Sequence, residues 1–442
     1  MDGKVYVLNP AVRVCEFQDQ RVLVNPANSE WIKLSVEAFE LVENIEGLTV
    51  GELVTTACVR RGARCEDVRA LLGYLCSAGF MVEEGHEERP GRIHFNITER
   101  CNLACPTCYF GAGGLPGNDA LSTREVLAVL DALAEARPRS LVISGGEPFV
   151  RKDIREILDF VRGRFDDVLL LTNGCLIGAR EAEWVRESGA RVQVSVESDD
   201  PSVHDAVRGK GAFNAAIRGI SALLSAGVDK IEIVPTLTRR NLPDIPGILR
   251  LAKSLGVGYH FSLFMPVGRG ACHAADLSIP PRELLSCLAS LITQASRGSG
   301  DHAPGLESCA PIDLRAKAGC GAGHGVLSVG PEGVVYPCPL MHRPDMYLGR
   351  LPDDSLSKMR RSGRNVVPDV TRVPGCSRCD VAYFCGGGCR ANALAQGGTV
   401  FSVDPYCEFY RAAFRAALWG WREDRSADEN VKTVVAALVD GL

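Results

Sequence analysis

The chain has 442 residues and a mass of 47.5 kDa, enough for about three domains at roughly 150 residues each. Its 49 Lys and Arg against 54 Asp and Glu leave a formal charge of -5, which speaks against nucleic acid or an anionic membrane as partner. No apolar run approaches the roughly 18 residues that cross a bilayer. The start, MDGKVYVLNPAVRV, lacks the order of a signal peptide, so a cytoplasmic protein is expected.

Residues 1–88 read as a separate α+β module. VRVCEF, RVLVNP and EWIKLS are three short strand-like stretches broken by Asp19-Gln20 and Pro26-Ala27-Asn28. Val36, Phe39, Val42 and Ile45 then recur at helical spacing, and VGELVTTACVRRG and CEDVRALLGYLCSAGF show the same period with glycine stops, which suits a winged-helix-like arrangement. Residues 1–90 hold 9 basic and 15 acidic side chains, so the acidity of the chain lies here. A polar linker over 83–91 marks the first boundary.

From residue 92 strands alternate with amphipathic helices. IHFNIT, SLVIS, DVLLLT, RVQVSV, KIEIVP and YHFSLF are six apolar runs, each followed by a helix-length segment. The expected fold class is therefore α/β: a partial (β/α)6 TIM-type barrel over 92–270, with its site at the strand C-terminal ends. A bridging helical region is expected over 271–308, and a final helix over 426–442. The Gly-, Pro- and Cys-rich stretch of 309–425 between them is expected to need metal or cross-links to hold it.

Of the 18 cysteines, eight fall between Cys309 and Cys407. In a long chain without a signal this points to metal or redox work, not to disulfides. The first barrel strand ends in ITERCNLACPTCYF. Three thiolates at Cys101, Cys105 and Cys108 would leave a [4Fe-4S] cluster with one iron uncapped, whereas structural zinc would want a fourth ligand nearby. The second strand ends in Ser144-Gly145-Gly146-Glu147-Pro148, where glycines expose backbone and a carboxylate can receive an ammonium group.

The pair CNLACPTCY and SGGEP resembles the radical S-adenosylmethionine superfamily over roughly residues 92–265. The resemblance implies that Cys101, Cys105 and Cys108 hold the cluster, that S-adenosylmethionine chelates its free iron, and that Gly145, Gly146 and Glu147 meet the methionyl amine. It also implies contacts from Thr172 and Asn173, from Ser195 and Glu197, and from Arg208; simple capping of strand ends is the alternative for these. Thr107 stands where the family usually carries an aromatic, with Tyr109 following as a candidate cofactor contact. The implied chemistry is reductive cleavage of S-adenosylmethionine to a 5'-deoxyadenosyl radical that abstracts hydrogen from substrate.

Further on, Cys320-x12-Gly333-x4-Cys338, then Cys376-x2-Cys379-x5-Cys385-x3-Cys389, then Cys407, resembles the SPASM extension of peptide-modifying radical enzymes. That resemblance implies one auxiliary [4Fe-4S] cluster on Cys376, Cys379, Cys385 and Cys407. It puts a second on Cys320, Cys338 and Cys389, with Cys309 as fourth ligand or with one iron left free, making three clusters in all. A pair of zinc ribbons fits the Cys-x2-Cys spacing alone. Cys15, Cys58, Cys65, Cys76, Cys175 and Cys287 are expected to be ordinary buried residues.

Ahead of such a chain, the module at 1–88 resembles a PqqD-like recognition domain, which adds a leader peptide as a strand to its sheet edge near Trp31 to Leu34, against a helix near Val68 to Leu75. The expectation is a maturase that installs a thioether or carbon-carbon cross-link on a ribosomally made precursor peptide, with electrons from a donor such as flavodoxin or ferredoxin. One alternative is a cofactor-biosynthesis enzyme acting on a small molecule. Sulfatase-type maturation is disfavoured, because that group carries Asp directly after the cysteine matching Cys338, and here Pro339 stands there. A non-catalytic iron-sulfur carrier is the remaining class.

Overall fold

The structure, a computed structural model, describes residues 5–9, 12–17, 20–25, 30–43, 48–61, 63–83, 89–113, 119–297, 317–420 and 425–440. Its N-terminal module runs β1 (Tyr6–Leu8), β2 (Arg13–Phe17), β3 (Gln20–Asn25), β4 (Glu30–Leu34), α1 (Val36–Glu43), α2 (Val50–Arg61), α3 (Cys65–Ser77) and β5 (Met81–Glu83). The alternating stretches form the expected antiparallel meander, with Leu23 of β3 opposite Val14 and Ile32. Leu23, Val42, Leu53, Leu72 and Leu75 bury a core that belongs to this module. Thr49 and Glu52 cap α2 reciprocally, Glu52 Oε2 accepting from the Thr49 amide at 2.8 Å.

Two features here depart from expectation. β5 returns to pair with β1, bringing fully buried Phe80 and Met81 up to the polar linker. Gly79, at φ 68°, makes the turn that permits this, and its carbonyl accepts from Asn9 and Asn25. In addition, Cys58 and Cys65 are joined as a disulfide across the α2–α3 connection, with Cα atoms 5.6 Å apart, where each was expected to stand alone.

The central region contains β6 (Arg92–Asn96), α4 (Thr123–Glu135), β7 (Ser140–Ser144), α5 (Ile154–Val161), β8 (Val168–Thr172), α6 (Ala179–Ser188), β9 (Arg191–Val194), α7 (Pro201–Arg208), α8 (Ala212–Ser225), β10 (Ile231–Ile233), β11 (Thr236–Leu237), α9 (Ile245–Leu255), β12 (Gly258–Tyr259) and β13 (Ser262–Leu263). Strands β6, β7, β8, β9, β10 and β12 pair in parallel in that order, the six-stranded partial barrel that the alternation requires. Side chains obey the period of two: Ile93 and Phe95 enter the helix-side core while His94 faces the interior cavity. The sixth run, YHFSLF, splits into β12 and β13, and β13 pairs with β11.

After α10 (Ala274–Leu277) and α11 (Pro281–Arg297), the chain makes β14 (Val326–Val329), β15 (Val334–Tyr336) and β16 (Gly349–Arg350). Among the described residues these strands extend the barrel sheet to nine, β14 lying parallel to β6 and β15 and β16 following antiparallel. Leu327, Val329 and Val335 are all at or near zero exposure in the main core, and at roughly 1.5–3 kcal/mol per buried aliphatic side chain they fasten this part of the Cys-rich stretch to the barrel.

The remaining helices are α12 (Leu356–Val366), α13 (Ala382–Cys385), α14 (Arg390–Ala395), α15 (Cys407–Gly420) and α16 (Ala427–Asp440). α11, α15 and α16 pack together through Leu285, Leu288, Phe409, Val434 and Leu438. The bridging and terminal segments thus share one core with the region between them. Trp31 of β4 reaches Phe384 of α13 edge-on, with ring centroids 6.4 Å apart. Among the described residues no helix is long and apolar enough to cross a membrane.

Candidate functional site

Cys101, Cys105 and Cys108 lie on the loop that leaves β6, and all three line a cavity of about 710 Å³ at the C-terminal ends of the barrel strands. The loop is held from both sides. The Gly146 amide donates to the Thr98 carbonyl at 2.8 Å and the Glu147 amide to that of Arg100 at 2.9 Å, which fastens the SGGEP turn to it. A Cβ on Gly146 would stand 2.2 Å from the Arg100 carbonyl oxygen, so no other residue permits this approach. On the far side Arg269, which the sequence did not single out, donates to the carbonyls of Cys105 at 2.9 Å, Gly111 at 3.0 Å and Ala112. Gly268, at φ 58° and with Cβ space only 2.1 Å from the Tyr109 carbonyl, brings that arginine in.

Gly145, Gly146, Thr172, Asn173, Ser195, Arg208 and Tyr109 line the same cavity. Glu147 does not. It is fully buried, Oε1 accepting from Thr172 Oγ1 at 2.8 Å and the Phe149 amide at 3.2 Å, and Oε2 from the Asn173 amide at 2.7 Å. Three of about four lone-pair directions are therefore taken up in shaping the loop after β8. Burial pushes its carboxyl up to about 7 against these hydrogen bonds. Asn173 in turn donates to Asn102 on the cysteine loop at 2.8 Å, so Glu147, β8 and the cysteines form one connected frame.

Glu197 also lies outside the cavity, at zero exposure, and acts on it through Arg208: Arg208 Nε donates to Glu197 Oε1 at 2.7 Å, and Glu197 Oε2 accepts from the Thr236 amide at 2.8 Å. Burial alone would lower Arg208, but Glu197 and then the Cys105 thiol more than offset it, leaving a permanent cation beside the thiols. Removing one partner of a buried pair strands the other charge. Arg208→Ala should therefore cost about 3–5 kcal/mol in urea unfolding of the apoprotein, and unchanged stability would show the pair to be solvated. Burial raises the Tyr109 hydroxyl to about 12, so it stays protonated. His94, unforeseen in the sequence, faces the same cavity with Nδ1 lacking a partner among the described residues, and burial lowers it to about 3.

Cys320, Cys338 and Cys389 line this cavity too. Cys376, Cys379, Cys385 and Cys407 surround a second, smaller cavity, and Cys385 borders both. Cys309 lies outside the described residues. Among the described residues no three His, Cys, Asp or Glu groups converge as ligands of a single metal ion; the thiols instead line the two cavities. Burial, then neighbouring thiols, drives Cys338 well above its usual range and Cys389 up to about 12. Burial likewise takes Cys101 to about 11. Ionising such groups needs an added cation, which a bound cluster provides, so the donor sets fit iron-sulfur groups.

A cysteine loop and a glycine turn joined at the mouth of a partial parallel barrel define a cofactor-binding α/β enzyme. The Radical SAM superfamily model matches residues 95–252. A mycofactocin maturase, MftC, of Mycolicibacterium smegmatis is 30% identical over 332 residues, 72% of this chain and 83% of that protein. An AdoMet-dependent heme synthase of Oleidesulfovibrio alaskensis is 29% identical over 345 residues, 72% and 87% of the two chains. Among solved structures, Streptococcus suis SuiB bound to precursor peptide SuiA superposes with a TM-score of 0.58 at 14% identity, covering 91% of this chain and 99% of that one. The chain belongs to the radical SAM superfamily and is a radical SAM enzyme, a family that uses S-adenosylmethionine and a [4Fe-4S] cluster.

Proposed function

We propose that this enzyme matures a ribosomally made precursor peptide by forming an intramolecular thioether or carbon-carbon link. The observation that carries the reading is a single cavity lined both by Cys101, Cys105 and Cys108 and by Cys320, Cys338 and Cys389. Those two sets, with Cys376, Cys379, Cys385 and Cys407, hold three [4Fe-4S] clusters. When bound, S-adenosylmethionine and its cluster supply a 5'-deoxyadenosyl radical. The chain itself aims and shields: Gly145 and Gly146 let the methionyl end approach backbone, Arg208 receives its carboxylate with Glu197 fixing the guanidinium, and Ser195 and Tyr109 border the nucleoside. A flavodoxin- or ferredoxin-type donor delivers the electron.

Residues 1–88 act as a PqqD-like leader dock. Among the described residues β4 pairs on one side only, with β3, leaving an edge free for a peptide strand. Residues 89–442 cannot alone account for a match over 91% of the chain, so the likeness to peptide-bound SuiB reaches into this module. The likeness to a heme synthase favours a second reading, a small-molecule substrate with no leader.

Co-expression with a Cys-containing precursor peptide encoded beside this gene tests the first reading. The expected product has lost two hydrogens by mass spectrometry, and one free thiol as well where the link is a thioether. A peptide of unchanged mass, alongside iron-loaded enzyme that cleaves S-adenosylmethionine, overturns it.

A further inference from the structure

A third cavity, of about 660 Å³, adjoins the large one: Tyr109, Phe110, Ala112, Pro339 and Leu340 line both. Among the described residues no cysteine lines it, so it is not a place for a cluster. The cysteine loop, the segment after β13, and the β14–β15 hairpin with the residues that follow it supply its lining.

Part of that lining is aromatic. Phe110 meets His342 edge-on with ring centroids 5.5 Å apart, and His342 stacks on Tyr336 at 4.4 Å. The stack is fixed in place, since His342 Nε2 lies 2.8 Å from Ser328 Oγ and the Tyr336 hydroxyl donates to Glu332 Oε1 at 3.4 Å. All three rings are half-buried, so each keeps surface to offer. Another part is bare main chain, because Gly111, Gly113 and Gly268 are exposed and carry no side chain. Aromatic rings beside exposed main chain suit an extended peptide, held through its side chains by the first and by hydrogen bonds to the second.

The size of the large cavity supplies the reason for such a groove. Its volume of about 710 Å³ lies within the roughly 300–1,000 Å³ that encloses one drug-sized ligand. S-adenosylmethionine and clusters on two cysteine sets share that space, which leaves room for a modified residue but not for the chain around it. A peptide whose leader is held by residues 1–88 has to leave the cavity again beyond the modified residue, and the adjoining cavity shares its lining.

We propose that this third cavity is a groove for the precursor segment that follows the modified residue, seated in extended form with an apolar or aromatic side chain on the rings of Phe110, His342 and Tyr336. This rests on the peptide reading of the function. A small substrate enclosed in the large cavity leaves the groove unused.

The test fills the groove and shortens the peptide. Ala271 and Ala395 are exposed, line the groove from different segments and do not line the large cavity. Full-length reconstituted enzyme, as parent, Ala271→Trp and Ala395→Trp, is checked for iron content and circular dichroism. Each form is assayed for kcat/KM on the precursor peptide encoded beside this gene and on the same peptide cut directly after the residue it modifies. The parent should prefer the intact peptide by about tenfold, the effect of one lost apolar side-chain contact, and the tryptophan variants should lose that preference. With the parent enzyme, a benzophenone side chain placed shortly after the modified residue should cross-link to residues 331–343 or to Phe110. A parent indifferent to the cut, or a peptide modified at its last residue, overturns the proposal and leaves the groove to another part of this chain. A preference that survives in both variants, or cross-links only elsewhere, also overturns it by placing the segment outside the groove. If the parent cleaves S-adenosylmethionine but modifies neither peptide, the peptide reading itself fails, a result distinct from the others.

Discussion

Replacing Cys101, Cys105 and Cys108 together by alanine should abolish formation of 5'-deoxyadenosine and lower iron by about four atoms per chain, from about twelve to about eight. The loop should survive the change. Its shape is set chiefly by the hydrogen bonds of Gly146, Glu147 and Arg269 to its backbone, the Cys101 sulfur accepting only long contacts from the Leu103 amide and Asn173, and deleting three sulfurs that neighbour one another removes a mutual repulsion in the ionised state. Circular dichroism and unfolding should therefore match the parent apoprotein. The contrasting variant replaces Cys376, Cys379, Cys385 and Cys407. It should lose iron to the same extent but keep cleavage of S-adenosylmethionine while losing cross-linked product, because the small cavity is lined by none of Cys101, Cys105 and Cys108, Cys385 alone of its cysteines also bordering the large one. Residual deoxyadenosine in the first variant, or its loss in the second, contradicts the division of the cysteines proposed here.

How far the sequence could be read depended on the kind of signal. Local periodicity was enough for the meander of β2, β3 and β4 and for the six parallel strands, since alternation and helix-length spacing are written in neighbouring residues. The two motifs were legible because their ligands lie within a few positions of each other. Long-range pairings were not. β14 beside β6 joins residues 326–329 to 92–95, and nothing local announces it, although Val-rich runs on either side of Pro331-Glu332-Gly333 are a hairpin signal that could have been used. Arg269 was missed for a similar reason. An arginine that clamps distant carbonyls looks, in sequence, like any solvated cation. Glu147 shows the converse: the motif pointed to it as a contact of the methionyl amine, but its buried carboxylate is engaged by Thr172 and Asn173, a placement only the fold reveals.

Deleting residues 1–88 separates the peptide and small-molecule readings most sharply. The module has its own buried core and its own β1–β5 closure, so its removal should leave the barrel folded. Trp31 against Phe384 is the ring contact that would be lost, next to Cys385. If a leader docks on β4, the core peptide reaches the cavity at the effective concentration set by that tether, and losing the tether costs about 10²–10⁴-fold in modification at low peptide concentration. Slow uncoupled cleavage of S-adenosylmethionine should persist at the parental rate, because Arg208, Gly145 and Gly146 remain in place. Raising the peptide concentration should recover part of the lost turnover, as should adding the module as a separate chain. A substrate recognised only inside the cavity has no use for the dock, and under that reading truncated and full-length enzyme would turn it over alike. Equal modification of a leader-bearing peptide by both forms would remove the leader from the mechanism even if the peptide proved to be the substrate.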